Sequence, residues 1–191
     1  ARTIRVAAMR PTTRFVTDAS LDELARRLRF LGYDITTHRG ARFEELLDAA
    51  ALDGRTVLTL SARTSRRHPD VAIERVPRGD LAAAVLALTR AHAPVGAPWS
   101  RCPACNVALH VRSTFEARGE VPGRVTRMGV RLTWCPSCGR WYWPGSHVAR
   151  LTAWFESVLG TPLPASDPSG SESARGGDEA PEPPSSPDDS R

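Results

Sequence analysis

The chain has 191 residues, 41 % hydrophobic and 25 % charged, enough for one ordinary domain with an appendage or for two small ones. No run approaches the roughly 18 uninterrupted apolar residues of a membrane-spanning helix. The opening ARTIRVAAMRPTTRF holds no apolar core before a cleavage site, so we expect no secretory signal and a cytoplasmic protein.

The formal net charge of +5 averages two unlike regions. Residues 161–191 carry seven acids against two arginines, a net −5, whereas residues 1–160 carry 24 arginines against 14 acids, a net +10. All 26 basic residues are arginine. The absence of lysine fits codon bias in a GC-rich genome. The excess of positive charge is a separate matter and suits a polyanion such as RNA or DNA.

Residues 1–12 read as an extension. From there strand and helix patterns alternate to residue 92. Residues 13–18 (TRFVTD) form a strand ending in an acid. Residues 19–31 form a helix with Leu21, Leu24, Leu28 and Leu31 on one face and Arg26, Arg27 and Arg29 off it. Gly32 is placed to terminate that helix. A strand over 33–37, a helix over 42–53 closed by Gly54, and strands over 55–60 and 71–76 follow. A helix over 79–92 has Asp80 near its start. Four strands interleaved with three helices predict a three-layer parallel α/β sheet over residues 13–92. A Pro- and Gly-rich linker spans 93–100. A cysteine-bearing module closed by a helix over 147–159 occupies 98–159. Residues 161–191 hold seven prolines with Ser, Gly and acids, a composition that predicts disorder.

Cys102-x2-Cys105 and Cys135-x2-Cys138 are paired knuckle motifs, CPAC and CPSC, and Gly139 favours the turn after the second. Four thiolates fill a tetrahedral site and leave no open position, so we expect a zinc ribbon with structural Zn²⁺ rather than disulfides. His110 and His147 are then not needed as ligands. Trp134, Trp141, Tyr142 and Trp143 either pack the ribbon or stack on nucleobases.

Ligands of an open parallel sheet bind beyond the carboxyl ends of its strands. Asp18 stands at such an end, either as a helix cap or as a metal ligand. Glu44 and Glu45 lie near a helix start, where they favour the helix dipole or join Asp18. The third strand ends in Thr59, Leu60 and Ser61, followed by Arg63, Arg66 and Arg67, with no acid.

The stretch FVTDASLDELARRLRFLGYDI, the EELL helix, RCPACN and CPSCGRWYWPGSH, taken in this order, resemble one family. It is the PIN-like RNase domain found at the C-terminus of mutator-seven-type exonucleases, and the resemblance covers about residues 13–150. It implies a PIN-like fold, an attached zinc ribbon and metal-dependent ribonuclease activity. The family's first catalytic acid falls on Asp18. Its helix acid falls on Phe43, leaving Glu44 and Glu45 as neighbours. Its strand-three acids fall on Ser61 and Arg63, so both are missing.

Two readings follow. In one, Asp18 with Glu44 and Glu45 holds Mg²⁺ or Mn²⁺ and activates water against a phosphodiester. In the other, the acidic site is degenerate. RNA is then bound by Arg63, Arg66 and Arg67 together with Arg124, Arg127, Arg131 and Arg140 of the ribbon. A protein–protein adaptor is a third class, which no particular residue favours. The acidic tail is a candidate competitor for the basic body.

Overall fold

A computed structural model describes residues 10–40, 42–63 and 65–164. The extension before residue 10, and the acidic tail from residue 165 with its expected disorder, lie outside the described residues. Among the described residues no helix is long and apolar enough to cross a membrane.

Four short strands form one parallel sheet. They are β1 (Phe15–Asp18), β2 (Ile35–His38), β3 (Thr56–Thr59) and β4 (Ile73–Arg75), in the order β2-β1-β3-β4. Three helices connect or follow them: α1 (Asp22–Phe30), α2 (Phe43–Asp53) and α3 (Leu81–Ala91). Successive strand residues point to opposite faces, and the core divides accordingly. Phe15, Ile35 and Leu58 face α1 and α3 through Leu24, Leu28, Val85 and Leu88. Val16 and Val57 face α2 through Leu46, Leu47 and Ala50. The result is the expected three-layer parallel α/β arrangement.

The helices begin and end where short-range chemistry dictates. Asp18 caps the 3-10 turn Ala19–Leu21 that leads into α1, accepting a hydrogen bond from Ser20 N at 2.8 Å. Asp80 caps α3 by accepting from Ala83 N at 2.8 Å. Gly54 closes α2 in the left-handed region, at φ 60°.

Gly32, with φ 87°, is required twice over. Its carbonyl accepts from Val95 N and Gly96 N, both at 3.1 Å, which draws the linker across the end of α1. A Cβ there would strike the carbonyl oxygens of Gly96 and Ala97.

The second module is a three-stranded antiparallel sheet, β5 (His110–Arg112), β6 (Leu132–Trp134) and β7 (Trp141–Tyr142), ordered β5-β6-β7. The short helix α4 (Gly123–Arg127) covers it, with Ala117, Val121, Val125 and Leu132 as a small separate core. The chain then forms α5 (Ser146–Leu159), which packs back on α3 and places Leu151 and Phe155 in the main core of the α/β body.

One expectation is overturned. Arg29 lies off the leucine face in the helical projection, yet it is only 2 % exposed. Its Nε donates to Ile35 O at 2.8 Å and its Nη2 to Thr37 Oγ1 at 2.8 Å. Its Nη1 donates to Pro103 O and Ala104 O at 2.8 and 3.2 Å, inside the first cysteine knuckle. The cysteine module lies against that side of α1, so a position that sequence periodicity assigns to solvent is sealed.

Asp34 completes the junction. It accepts from Arg55 Nη1 and from Asn106 Nδ2, both at 2.7 Å, while Asn106 Oδ1 accepts from Ile35 N at 3.1 Å. Burial pushes the Asp34 carboxyl up, but the hydrogen bonds from Arg55 and Asn106 and the charges of Arg55 and Arg101 outweigh it. The group stays below its ordinary 3.8.

Two outcomes are expected. Gly32→Ala should cost more than about 1 kcal/mol, read as a lower urea midpoint. Asp34→Asn should lower stability at neutral pH. A depressed carboxylate contributes stability above its unfolded value, and that contribution is lost as pH falls through the folded one. The acid limb of the stability–pH curve below about pH 4 should therefore be shallower in the variant than in the parent.

Candidate metal centre and nucleic-acid interface

The two knuckles are built alike. Cys102 N donates to Val107 O at 2.8 Å and Asn106 N to Cys102 O at 2.9 Å. Cys135 N donates to Arg140 O and Gly139 N to Cys135 O, both at 2.9 Å. Asn106 (φ 67°) and Gly139 (φ 69°) supply the left-handed residue that each tight turn needs.

The sulfur atoms of Cys102, Cys105, Cys135 and Cys138 all lie within 4.8 Å of one another. Cys102 Sγ is 3.7 Å from Cys138 Sγ, and Cys105 Sγ is 3.3 Å from Cys135 Sγ. A tetrahedron with metal–sulfur bonds of about 2.3 Å has edges of about 3.8 Å, so the four thiols fit one metal ion. Burial raises the Cys102 thiol, but the Tyr142 hydroxyl at 3.1 Å and the N–H groups of Cys105 and Ala104 outweigh that and bring it to about 7. Burial dominates at Cys135, which is pushed up to about 12. These are the features of a zinc-ribbon module. His110 and His147 are not part of the cluster.

The parallel sheet has its topological switch between β1 and β3, because the chain leaves β1 toward β2 on one side and returns to β3 on the other. In such sheets the crevice beyond the carboxyl ends at this point is where ligands bind. Asp18 ends β1 and Thr59 ends β3, so they flank the crevice. Asp18 Oδ1 accepts from Ser20 N and also from the Ser20 hydroxyl. Thr59 Oγ1 accepts from Ser61 N at 3.0 Å, and Ser61 Oγ from Arg63 N at 3.1 Å.

The surroundings are cationic. Arg75 Nη2 donates to Ala62 O at 3.0 Å and Arg78 Nη2 to Leu60 O at 3.1 Å, so both guanidinium groups hold the loop after β3. Arg63, Arg66 and Arg67 are exposed along the same loop. Arg67 N donates to Ser65 Oγ, and its guanidinium lies 3.4 Å from Asp48. Arg140 stands apart in sequence, on the second knuckle, and is exposed.

The other two candidate acids are engaged on α2. Glu44 accepts from Ser65 Oγ at 2.9 Å, which ties the arginine loop to the helix. Glu45 accepts from Arg42 Nε at 2.8 Å and lies 4.0 Å from His38 Nε2. The hydrogen bond from Arg42 holds its carboxyl below the ordinary range. His38 ends β2 in register with Asp18, so it joins this edge, a neighbour that sequence spacing did not single out.

Asp22, at the start of α1, is a second such neighbour. It pairs with Arg26 at 2.8 Å and accepts from Thr37 Oγ1 at 3.2 Å. Burial raises its carboxyl, but Arg26 and Thr37 bring it below the ordinary value. Among the described residues the four cysteines are the only group of three or more Cys, His, Asp or Glu side chains whose ligand atoms gather closely enough for a metal ion. Asp18, Glu44 and Glu45 do not meet that condition.

The architecture is thus a three-layer parallel α/β body joined to a four-cysteine ribbon. A family model described as the Mut7-C RNAse domain matches residues 13–155, from just before β1 into α5. The chain belongs to that family. No curated protein and no solved structure matches it.

Cobalt(II) loaded onto the chain should give the visible spectrum of a tetrahedral four-thiolate site at one ion per chain. Cys138→Ser should shift or abolish that spectrum, and an octahedral spectrum in the parent would contradict the assignment.

Proposed function

We propose that the protein binds single-stranded RNA through the cationic carboxyl edge of its parallel sheet without hydrolysing it, and that the ribbon holds a structural zinc ion. The observation that carries this reading is the chemistry at the switch point. Beyond β3, Ser61 and the arginine loop stand where a metal-dependent nuclease needs carboxylates, leaving Asp18 with the Ser20 hydroxyl and amide as its partners. Divalent cations of the Mg²⁺ and Mn²⁺ class need several anionic oxygens in one place. Among the described residues Asp18, Glu44 and Glu45 do not gather closely enough to hold such an ion. Guanidinium groups instead match phosphate, with planar paired donors and permanent charge.

The family membership supports RNA as the polyanion. The net charge of +10 over residues 1–160 supports attraction at long range. Zinc is favoured over other ions by four thiolates in tetrahedral spacing. With every position taken by sulfur its role is to hold the ribbon together.

The test uses an end-labelled single-stranded RNA of mixed sequence with Mg²⁺, with Mn²⁺ and with EDTA. Binding is read by gel mobility and cleavage by product length. The expected result is a shift in all three conditions and no shortened product. Affinity should fall steeply with salt, and replacing Arg63, Arg66 and Arg67 by Glu should weaken binding at least tenfold and flatten the salt slope. Metal-dependent cleavage that disappears in Asp18→Asn would overturn the non-hydrolytic reading. No shift at low salt would overturn RNA binding itself.

A further inference from the structure

Away from the sheet's carboxyl edge, a cavity of about 310 Å³ opens where the α/β body, the linker and the ribbon meet. Its size is at the small end of ligand sites. Four aromatic side chains line it: Phe30 from the end of α1, Trp99 from the linker, and Tyr142 and Trp143 from the β7 segment. Arg101 and Arg131 stand in the wall among mostly apolar residues.

Two of these residues are fixed in ways that matter. Trp99 has φ 66°, a left-handed conformation rare for a bulky side chain, and its N–H donates to Phe30 O at 2.7 Å. The two rings meet edge to face with centroids 5.1 Å apart. Arg101 is held by Asn106 O at 2.7 Å and by Asp34 at 3.5 Å, so its guanidinium belongs to the junction as well as to the wall. Rigid aromatic walls beside arginine are the surfaces on which unpaired bases stack, since every base offers a π-face.

A separate cleft that shares Phe30 with the cavity runs along α1 toward the proposed RNA edge. This cleft lies between α1 and α5, and its lining includes Asp22, Glu23, Arg26 and Arg27. From Asp22 to Phe30 the helix rises about 12 Å at ~1.5 Å per residue.

We infer that this aromatic cavity is a second RNA subsite. It takes one unpaired nucleobase from the strand whose phosphates lie on the arginine edge. The inference rests on the RNA-binding reading above and adds to it a base-dependent contact at the opposite end of α1.

The test compares two hexanucleotides on the full chain. One is hexauridylate and the other is the same ribose-phosphate backbone with abasic sites. Binding is followed by intrinsic tryptophan fluorescence and by competition in gel mobility. The expected result is about tenfold tighter binding of hexauridylate, with fluorescence quenching that the abasic strand does not produce. The preference should fall to near unity in Trp99→Leu. Unchanged metal content and urea midpoint would show that this variant is folded. Trp143→Leu, checked in the same way, should lose the preference too.

Equal affinity for the two strands would overturn the subsite while leaving phosphate-led RNA binding in place. Binding of neither strand would remove both readings. A base preference that appears only after deletion of residues 165–191 would assign the cavity in the full chain to its own acidic, Pro-rich segment, which begins beside Pro164 in the cavity wall, and would overturn the subsite.

Discussion

The structure depends on one buried polar junction, formed by Arg29, Asp34 and Asn106. A guanidinium that is 2 % exposed is tolerated only when its donors are matched. Arg29 meets that requirement by spanning the two modules, with Ile35 O and Thr37 Oγ1 on one side and Pro103 O and Ala104 O on the other. Asp34 and Asn106 repeat the connection one strand residue away, through the 2.7 Å amide–carboxylate bond and the Ile35 N contact. Charge-assisted hydrogen bonds of this kind contribute about 1.5–3 kcal/mol each, and removing one partner leaves the other buried and unpaired. The interface between ribbon and body is therefore specified by direction as well as by apolar area.

That junction also links the four-cysteine cluster to the sheet. Burial holds the Arg29 guanidinium below its ordinary range, and the charges of Asp22, Cys102 and Cys105 oppose that shift. The same guanidinium donates to Thr37, whose hydroxyl in turn donates to Asp22 at the carboxyl edge. Two residues of β2, Ile35 and Thr37, are thus held by one side chain. The ribbon sets the position of β2, and β2 carries His38 into register beside Asp18.

Most of the architecture was legible in the sequence because it rests on local signals. The leucine period of α1, Asp80 at the start of α3, the terminating Gly32 and Gly54 and the strand–helix alternation all act within a few residues, whereas the spacing left Asp18 open between a cap and a metal ligand. The cysteine spacing was equally local, and the four sulfurs gather as that spacing implied. What remained hidden depends on contacts between distant segments. Arg29 reads as solvent-facing until residues 103–106 cover it. Helix α5 reads as the end of the ribbon until Leu151 and Phe155 enter the main core. His38 and Asp22 become neighbours of Asp18 only through strand register and the Thr37 hydrogen bond.

The aromatic residues show why side-chain type alone could not separate packing from binding. Trp141 and Trp143 pack on the small ribbon core, and Trp134 lies under the guanidinium of Arg112 at 5.2 Å. Tyr142 hydrogen-bonds Cys102 Sγ through its hydroxyl while its ring faces the cavity. Each aromatic therefore has a structural duty, and for Tyr142 and Trp143 that duty leaves a second surface on the cavity. A ribbon of this size has too little apolar volume to bury large rings completely. The ring faces that the small core cannot cover are the surface it presents to the linker and α1, next to a Trp99 backbone conformation that is costly to maintain.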